Sequence, residues 1–173
     1  VREIEKADAV IILGEDVTNV APRIALALRQ SVRNKALDLA KDCNIPAWQD
    51  AAVRELAQHE RSPLCVLSSY VSRLDDIASD SLIDSSANLA NIAYAIANKI
   101  VNSAPAAADV AAEYNDVIDR VAQQLSAAKN PLVIAGTSSD NADLIKAAAN
   151  IARALAKANG TNLCLLVPEV NSL

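Results

Sequence analysis

The residues of this chain that could do chemistry are few and widely separated. His59 is the one histidine of the sequence, and it lies near a predicted helix end, where an imidazolium interacts favourably with the helix dipole. A nucleophilic mechanism needs a nucleophile beside a base, and no nucleophile signature such as G-x-S-x-G occurs in the chain. Asp75 and Asp76 are adjacent, so they would point to different sides of a helix or strand and are better interpreted as first-turn helix charges. The sequence therefore predicts no catalytic residue.

The three cysteines give no metal or redox motif. Cys43, Cys65 and Cys164 lie far apart and form no C-x-x-C pair, which argues against a zinc or iron–sulfur site. Their odd number argues against a disulfide framework. Cys65 and Cys164 stand in apolar runs, where we expect buried, unreactive thiols. A reducing cytoplasm is the simplest compartment for such a chain.

Charge and hydropathy exclude two classes of partner. The net charge of -5 and the pI near 4.8 disfavour nucleic acid, whose binding depends on clustered basic residues. The basic residues of the first third are interpreted as a solvated helix face; they are Arg23, Arg29, Arg33 and Lys35. Trp48 is predicted to be a packing anchor rather than a stacking platform for bases. No run of 18 apolar residues occurs, so direct membrane insertion is not expected.

The elements that would position any site alternate along the chain. Short apolar runs predict buried strands at residues 9–14, 64–70, 131–136 and 162–168. Apolar residues every three to four positions predict helices at residues 23–43, 47–60, 87–101, 107–128 and 142–158. A short helix is predicted within residues 72–86, and a small strand there is left open. Gly160 falls where a helix C-cap glycine belongs.

This alternation predicts one α/β domain over residues 1–173. Its sheet would be mostly parallel, flanked by helices and Rossmann-like, with right-handed crossovers. Ligands of such folds bind beyond the carboxyl ends of the strands, which directs attention to the loops after Gly14, Tyr70 and Gly136.

None of these loops has a phosphate-binding signature. Glu15 and Asp16 would repel an anion, and a dinucleotide fingerprint needs closely spaced glycines. The loop G-T-S-S-D-N-A-D has hydroxyl and backbone donors, but turn formation and helix capping by Ser139 or Asp140 explain it equally well. The sequence accordingly assigns no catalytic, cofactor-binding or metal-binding residue.

Several motifs, in the same order along the chain, carry a resemblance to a known family. They are A-D-A-V-I-I-L-G-E-D-V-T followed by P-R-I-A-L-A-L-R-Q, then W-Q-D-A-A-V, R-L-D-D-I-A and N-P-L-V-I-A-G-T. Together they cover most of the chain. In this ordered set the chain resembles the large iron–sulfur subunit, the G subunit, of bacterial NADH-quinone oxidoreductase, respiratory complex I.

The resemblance implies a place in the C-terminal region of that subunit, which is similar in fold to the molybdopterin oxidoreductase family. In active members of that family G-x-N-P follows the first strand and a later strand ends in D-P-R, and both motifs help to hold the pterin nucleotide. Here Gly14 is followed by Glu15, Asp16 and Val17, and D-P-R is absent. The closing V-P-E-V-N-S is only faintly similar to the Asn-Ser segment of the family, so no cofactor is assigned to its Asn and Ser, Asn171 and Ser172. The iron–sulfur cysteines of the parent subunit would lie outside this segment.

These observations predict a structural and interaction domain of that subunit. It would support electron transfer from NADH to quinone without a redox centre of its own. Its partners would be other regions of the same subunit and other peripheral-arm subunits, at the cytoplasmic face of the inner membrane. A chain that opens without Met fits such a segment of a larger subunit.

Two alternatives stay open. One is a pterin- or nucleotide-binding domain of an oxidoreductase, with its pocket near Gly14 and Gly136. The other is a free-standing hydrolase or transferase with a site assembled from scattered polar residues.

Overall fold

In the part of the chain that the structure describes, the fold is built on one sheet of five parallel strands. A computed structural model describes residues 1–105, 110–156 and 161–167. The strands are β1 (Ala9–Leu13), β2 (Leu64–Ser68), β3 (Asp80–Ile83), β4 (Pro131–Gly136) and β5 (Asn162–Leu166). They lie in the order β3-β2-β1-β4-β5, and every neighbouring pair is parallel. The predicted α/β class with a parallel, Rossmann-like sheet is confirmed.

Helices cover both faces of this sheet. They are α1 (Arg2–Glu5), α2 (Val17–Val20), α3 (Pro22–Ser31), α4 (Asn34–Asp42), α5 (Asp50–Ala57), α6 (Ser86–Ile100), α7 (Asn115–Ala127) and α8 (Ala142–Ala156), with a 3-10 turn at Ala112–Tyr114. No helix in the described ranges is long and apolar enough to cross a membrane.

The three central strands are continuous apolar runs because each side of the sheet has its own core. Every residue of β1, β2 and β4 is buried, the pattern expected when helices pack on both faces of a parallel sheet. Ile11 and Val133 point into the core formed with α6, α7 and α8. Ile12 and Ile134 point into the core formed with α1, α2 and α3. Alternate residues of each strand thus stabilise opposite layers.

The helix predicted over residues 23–43 is two helices, which corrects that prediction. Between α3 and α4 the carbonyl oxygen of Val32 accepts a hydrogen bond from the backbone N–H of Ser62 (2.9 Å). The hydroxyl of Ser62 in turn accepts from the N–H of Lys35 (3.0 Å). The side chain of Asn34 donates to the carbonyls of Glu5 and Ala7. Segments distant in sequence therefore bind the backbone where the helix is interrupted. The spacing of apolar residues does not reveal these contacts, so it predicts one continuous helix.

The stretch before β3 contains turns instead of the predicted short helix. The small strand left open there exists as β3. The Asp75 carboxylate accepts from the N–H of Ser72 (2.5 Å) and from the hydroxyl of Ser81. Asp76 is held at both oxygens by Arg29 of α3 (3.1 Å each). The prediction that these two aspartates are first-turn helix charges is therefore wrong, because their side chains fold a turn and pair with α3.

Other boundaries differ by a few residues. The helix predicted over 47–60 spans only α5, and it ends where Gln58 adopts a positive φ of 50°. The helix predicted over 107–128 begins at Asn115, after the 3-10 turn. Strand β2 ends at Ser68, two residues before Tyr70. Gly160, the end of the helix predicted to residue 158, and the family-like residues Asn171 and Ser172 lie outside the described residues.

Candidate functional site

The strand order defines where a ligand would bind. The chain passes from β1 to β2 on one side, whereas β4 lies on the other side of β1. In open α/β sheets such a reversal opens a crevice beyond the carboxyl ends of the two central strands. Here the crevice lies between the turn that starts at Gly14 and the loop of residues 137–140, and we call it the switch-point crevice.

The side chain of Glu15 fills the switch-point crevice. Although charged, Glu15 is only 1% exposed. Its Oε1 accepts from the hydroxyl of Ser138 (2.5 Å), and its Oε2 accepts from the N–H of the same serine (3.4 Å). A carboxyl group of the chain itself thus takes the hydrogen-bond donors that a bound anion would need.

Gly136 makes room for that carboxyl group. Gly136 ends β4, and a Cβ built on it would overlap Oε2 of Glu15 and lie 2.8 Å from the carbonyl oxygen of Leu166. Any side chain here would displace Glu15 or push against the backbone of β5. Gly136 is therefore explained by the close approach of Glu15.

Gly14 lies on the opposite side of the crevice from Gly136. It adopts a positive φ of 64°, a conformation that glycine tolerates at little cost. A Cβ on Gly14 would lie 2.7 Å from Cδ1 of Leu144 and 3.1 Å from Oγ of Ser139. The turn after β1 consequently packs directly against the first turn of α8 and its preceding loop.

Asp16 has a different role from Glu15, although the sequence treats them as one acidic pair. Its Oδ1 accepts from the N–H groups of Thr18 (3.1 Å) and Asn19 (3.2 Å). It therefore caps the N-terminus of α2, as a short acceptor side chain commonly does.

The loop after β4 forms the predicted turn. The N–H of Asp140 donates to the carbonyl of Thr137 (3.0 Å), and Asp140 has a positive φ of 48°. The predicted capping residue is wrong. Asn141, rather than Ser139 or Asp140, accepts from the N–H of Asp143 (2.9 Å) at the start of α8, because the left-handed turn at Asp140 brings the next side chain over the helix end.

Two further groups border the crevice. Burial raises the pKa of Tyr70, and the negative charges of Asp16 and Glu15 raise it further. Tyr70 is thus electrostatically coupled to the crevice, as expected for a residue after β2. In the described part of the chain, Oγ of Ser139 is buried without a hydrogen-bond partner.

The other residues singled out in the sequence have separate environments. His59 is exposed in the turn after α5. Trp48 is 80% exposed, so the prediction of a packing anchor is wrong. It lies in the connection between α4 and α5, which leaves its side chain in solvent. The basic side chains lie at the surface as predicted, with Arg29 half-buried in its pair with Asp76 and Arg33 bound to Asp50 (2.5 Å).

The cysteines follow the prediction in part. Cys65 is buried, Cys164 is only half-buried because β5 is an edge strand, and Cys43 is exposed. Burial, together with the nearby negative charge of Asp80, raises the pKa of Cys65 to about 12. Within residues 1–105, 110–156 and 161–167, no three His, Cys, Asp or Glu side chains are grouped as metal ligands would be.

Fold and site together define a class: a Rossmann-like α/β fold whose switch-point crevice is filled by its own glutamate. No family model matches the chain. Over 99% of its length, however, it is 47% identical to the NADH-quinone oxidoreductase G subunits of Pseudomonas fluorescens and of Shewanella oneidensis, and 41% identical to that of Escherichia coli K12. The chain spans 19% of the length of each of these relatives. It is therefore homologous to a segment of the G subunit of NADH-quinone oxidoreductase, and the resemblance inferred from its motifs is confirmed.

Proposed function

We propose that this chain is a structural and interaction domain of the G subunit of NADH-quinone oxidoreductase, without a redox centre or ligand of its own. The observation that carries the proposal is the carboxyl group of Glu15 in the switch-point crevice. A nucleotide or pterin phosphate entering there would meet a buried negative charge in place of free N–H donors.

The energetics favour the filled crevice. To admit a phosphate, Glu15 would have to leave both of its bonds to Ser138 and move away from Gly136. The shorter bond, from the Ser138 hydroxyl, is charge-assisted, and such bonds contribute about 1.5–3 kcal/mol. A ligand would have to offset that loss before it gained any affinity.

The proposal extends to the wider assembly. We place this segment among other regions of the G subunit and other peripheral-arm subunits, at the cytoplasmic face of the inner membrane. The iron–sulfur clusters would belong to other parts of the parent subunit. The names of the relatives support a place within the G subunit, and the 19% of their length that the chain spans leaves other regions of that subunit as partners.

The second candidate is a pterin- or nucleotide-binding domain. It is favoured by the location of Gly14 and Gly136 at the switch point and by the unpartnered hydroxyl of Ser139. It requires Glu15 to swing out of the crevice when the ligand binds.

Native mass spectrometry and elemental analysis separate the two candidates. The chain would be expressed in a host that makes pterin cofactors and checked for a cooperative thermal transition. An empty protein supports the structural proposal, whereas stoichiometric molybdenum, tungsten, pterin or nucleotide contradicts it and supports the second candidate.

Thermal shifts with added nucleotide then test the part played by Glu15. We expect no shift for the natural chain, because a ligand raises apparent stability only if it binds the folded state. Glu15→Ala removes the charge from the crevice, and Glu55→Ala removes an exposed charge from α5 as the matched control. A nucleotide-dependent shift in the natural chain would refute the filled-crevice interpretation.

A further inference from the structure

The two edge strands of the sheet, β3 and β5, differ in their charge and in the exposure of their apolar side chains. At one edge, β3 carries Asp80, which is paired with Arg120 of α7 (2.5 Å). Charged residues of this kind are typical of edge strands that stay unpaired. At the other edge, β5 reads N-L-C-L-L without a charge, and Leu163 and Leu165 are 39% and 51% exposed.

The backbone of β5 is open at the same two residues. The carbonyl of Leu166 accepts from the N–H of Thr137, which continues the ladder with β4 (3.2 Å). In a parallel strand the N–H and C=O of one residue point to the same side, and the side alternates along the chain. The backbone groups of Leu163 and Leu165 therefore point away from β4, where no strand of the described residues lies.

The register gives the face on which these leucines lie. Leu163 and Leu165 stand beside Val133 and Ala135 of β4, both of which belong to the core with α6, α7 and α8. An additional strand would thus pair with their backbone, and the connection that follows it could cover their side chains and extend this core.

We propose that β5 pairs with a sixth parallel strand supplied by a portion of the same parent polypeptide outside the matched segment. About four fifths of the length of the relatives lies outside that segment. Doubly wound sheets with this strand order commonly place a sixth strand beside the fifth. A strand tethered to β5 in one polypeptide also has a high effective concentration at the open edge. The inference rests on the proposed function, because it assigns a docking surface to the structural domain.

Hydrogen exchange resolved to single amides tests the proposal in the full-length subunit within its assembled complex. The amides of Cys164 and Leu166 point toward β4 and serve as internal controls. We expect the amides of Leu163 and Leu165 to exchange as slowly as these controls, on the order of 100-fold slower than open-edge amides. Fast exchange at Leu163 and Leu165 beside slow exchange at Cys164 and Leu166 would overturn the sixth strand.

Two variants test the side chains in the same full-length subunit. Leu165→Lys should reduce the yield of assembled complex about tenfold, because it places a charge in the buried contact. Leu165→Val keeps an apolar, strand-compatible side chain and should assemble normally. Normal assembly of Leu165→Lys contradicts the proposal. If that variant fails to fold, the exchange measurement on the natural subunit still tests whether β5 pairs with a sixth strand.

A photo-crosslinking residue at position 163 identifies the source of the strand. A cross-link to a portion of the same polypeptide outside the matched segment supports the proposal. Cross-links confined to the matched segment, or made to another subunit or to a second copy, overturn it. The tests also separate the two proposals. A ligand found in the crevice would contradict the proposed structural function, but slow exchange at Leu165 would still be expected. Fast exchange at Leu163 and Leu165 together with an empty crevice would contradict the sixth strand and leave the proposed function standing.

Discussion

Glu15 and Gly136 act as a pair in the switch-point crevice. Glycine at 136 leaves the space that the Glu15 carboxyl group fills, and the only hydrogen bonds described for that carboxyl come from Ser138. The two residues come from different strand ends, so neither is explained without the other.

Gly136→Ala is expected to destabilise the fold by about 1–3 kcal/mol, because the new Cβ overpacks against Glu15. Combining it with Glu15→Ala should recover part of that loss, leaving the strain against the carbonyl of Leu166. Urea unfolding of the natural chain, both single variants and the double variant gives the coupling energy. Additive effects of the two substitutions would mean that the side chains do not meet.

Cys65 shows how burial changes one thiol. Its pKa of about 12 in the folded chain lies above the ordinary value of 9.0, chiefly because burial disfavours the thiolate. The unfolded chain releases this proton first as pH rises. The contribution of Cys65 to stability is therefore complete below pH 9 and is lost progressively as pH rises toward 12.

Comparison with Cys65→Ala isolates this effect from the titration of lysines and tyrosines. The free energy of unfolding of the natural chain, relative to the variant, should fall by about 2 kcal/mol between about pH 8 and about pH 10.5. Chemical denaturation at a series of pH values measures it. A difference that stays constant over this range would show that the thiol titrates normally in the fold.

At the scale of elements, α7 is joined to its neighbours by two ion pairs of different burial. Arg120 donates to Asp80 of β3, whose side chain is 9% exposed, and the pair raises the pKa of Arg120. The adjacent Asp119 pairs with Lys99 of α6 (2.8 Å), and both of those side chains are more than half exposed. Substitutions at residues 119 and 120 of α7 can thus compare an ion pair that is shielded from solvent with one that is exposed.

Arg120→Ala should lower the free energy of unfolding by more than the loss of an exposed ion pair does, because it leaves the shielded carboxyl group of Asp80 without its cation. Asp119→Ala is the matched control and should cost about 0.5 kcal/mol or less, as exposed pairs do. Thermal or urea unfolding of both variants provides the comparison. Equal costs would contradict the assigned difference in burial.

At the scale of the whole molecule, the central strands join the two cores. Ile12 lies between Val66 and Ile134 and is buried beneath the helices of one layer. A charge there would be desolvated without a partner, at a cost of several kcal/mol. Such a change would disrupt both the sheet and the helices packed on it.

Ile12→Asp in the full-length subunit should therefore reduce assembly of the oxidoreductase, if the segment has the structural role proposed. Ile83→Asp introduces the same charge at a side chain that is half exposed, at the end of β3, and it serves as the control. Native electrophoresis of membranes from cells expressing each variant measures assembly. Unchanged assembly in Ile12→Asp would refute the structural role.

The sequence determined the layers of the fold because local pattern and burial coincide there. Runs such as A-V-I-I-L and P-L-V-I-A-G can be satisfied only between two apolar layers, so they predict central parallel strands. The break between α3 and α4 was not predictable, because Ser62 and Asn34 bring it about through contacts with distant segments. The residue type of Trp48 likewise predicts burial, but the path of the connection between α4 and α5 leaves its side chain exposed.

For the candidate site, the sequence by itself determined which loops meet at the crevice and that Gly14 is followed by acidic residues. The tertiary structure alone decided that Glu15 enters the crevice while Asp16 turns away to cap α2. Adjacent residues in a turn point in different directions, and which one is buried depends on the space left by a partner such as Gly136 in a distant strand. The physical reason is that strand pairing, not sequence proximity, brings β1 and β4 together and sets that space.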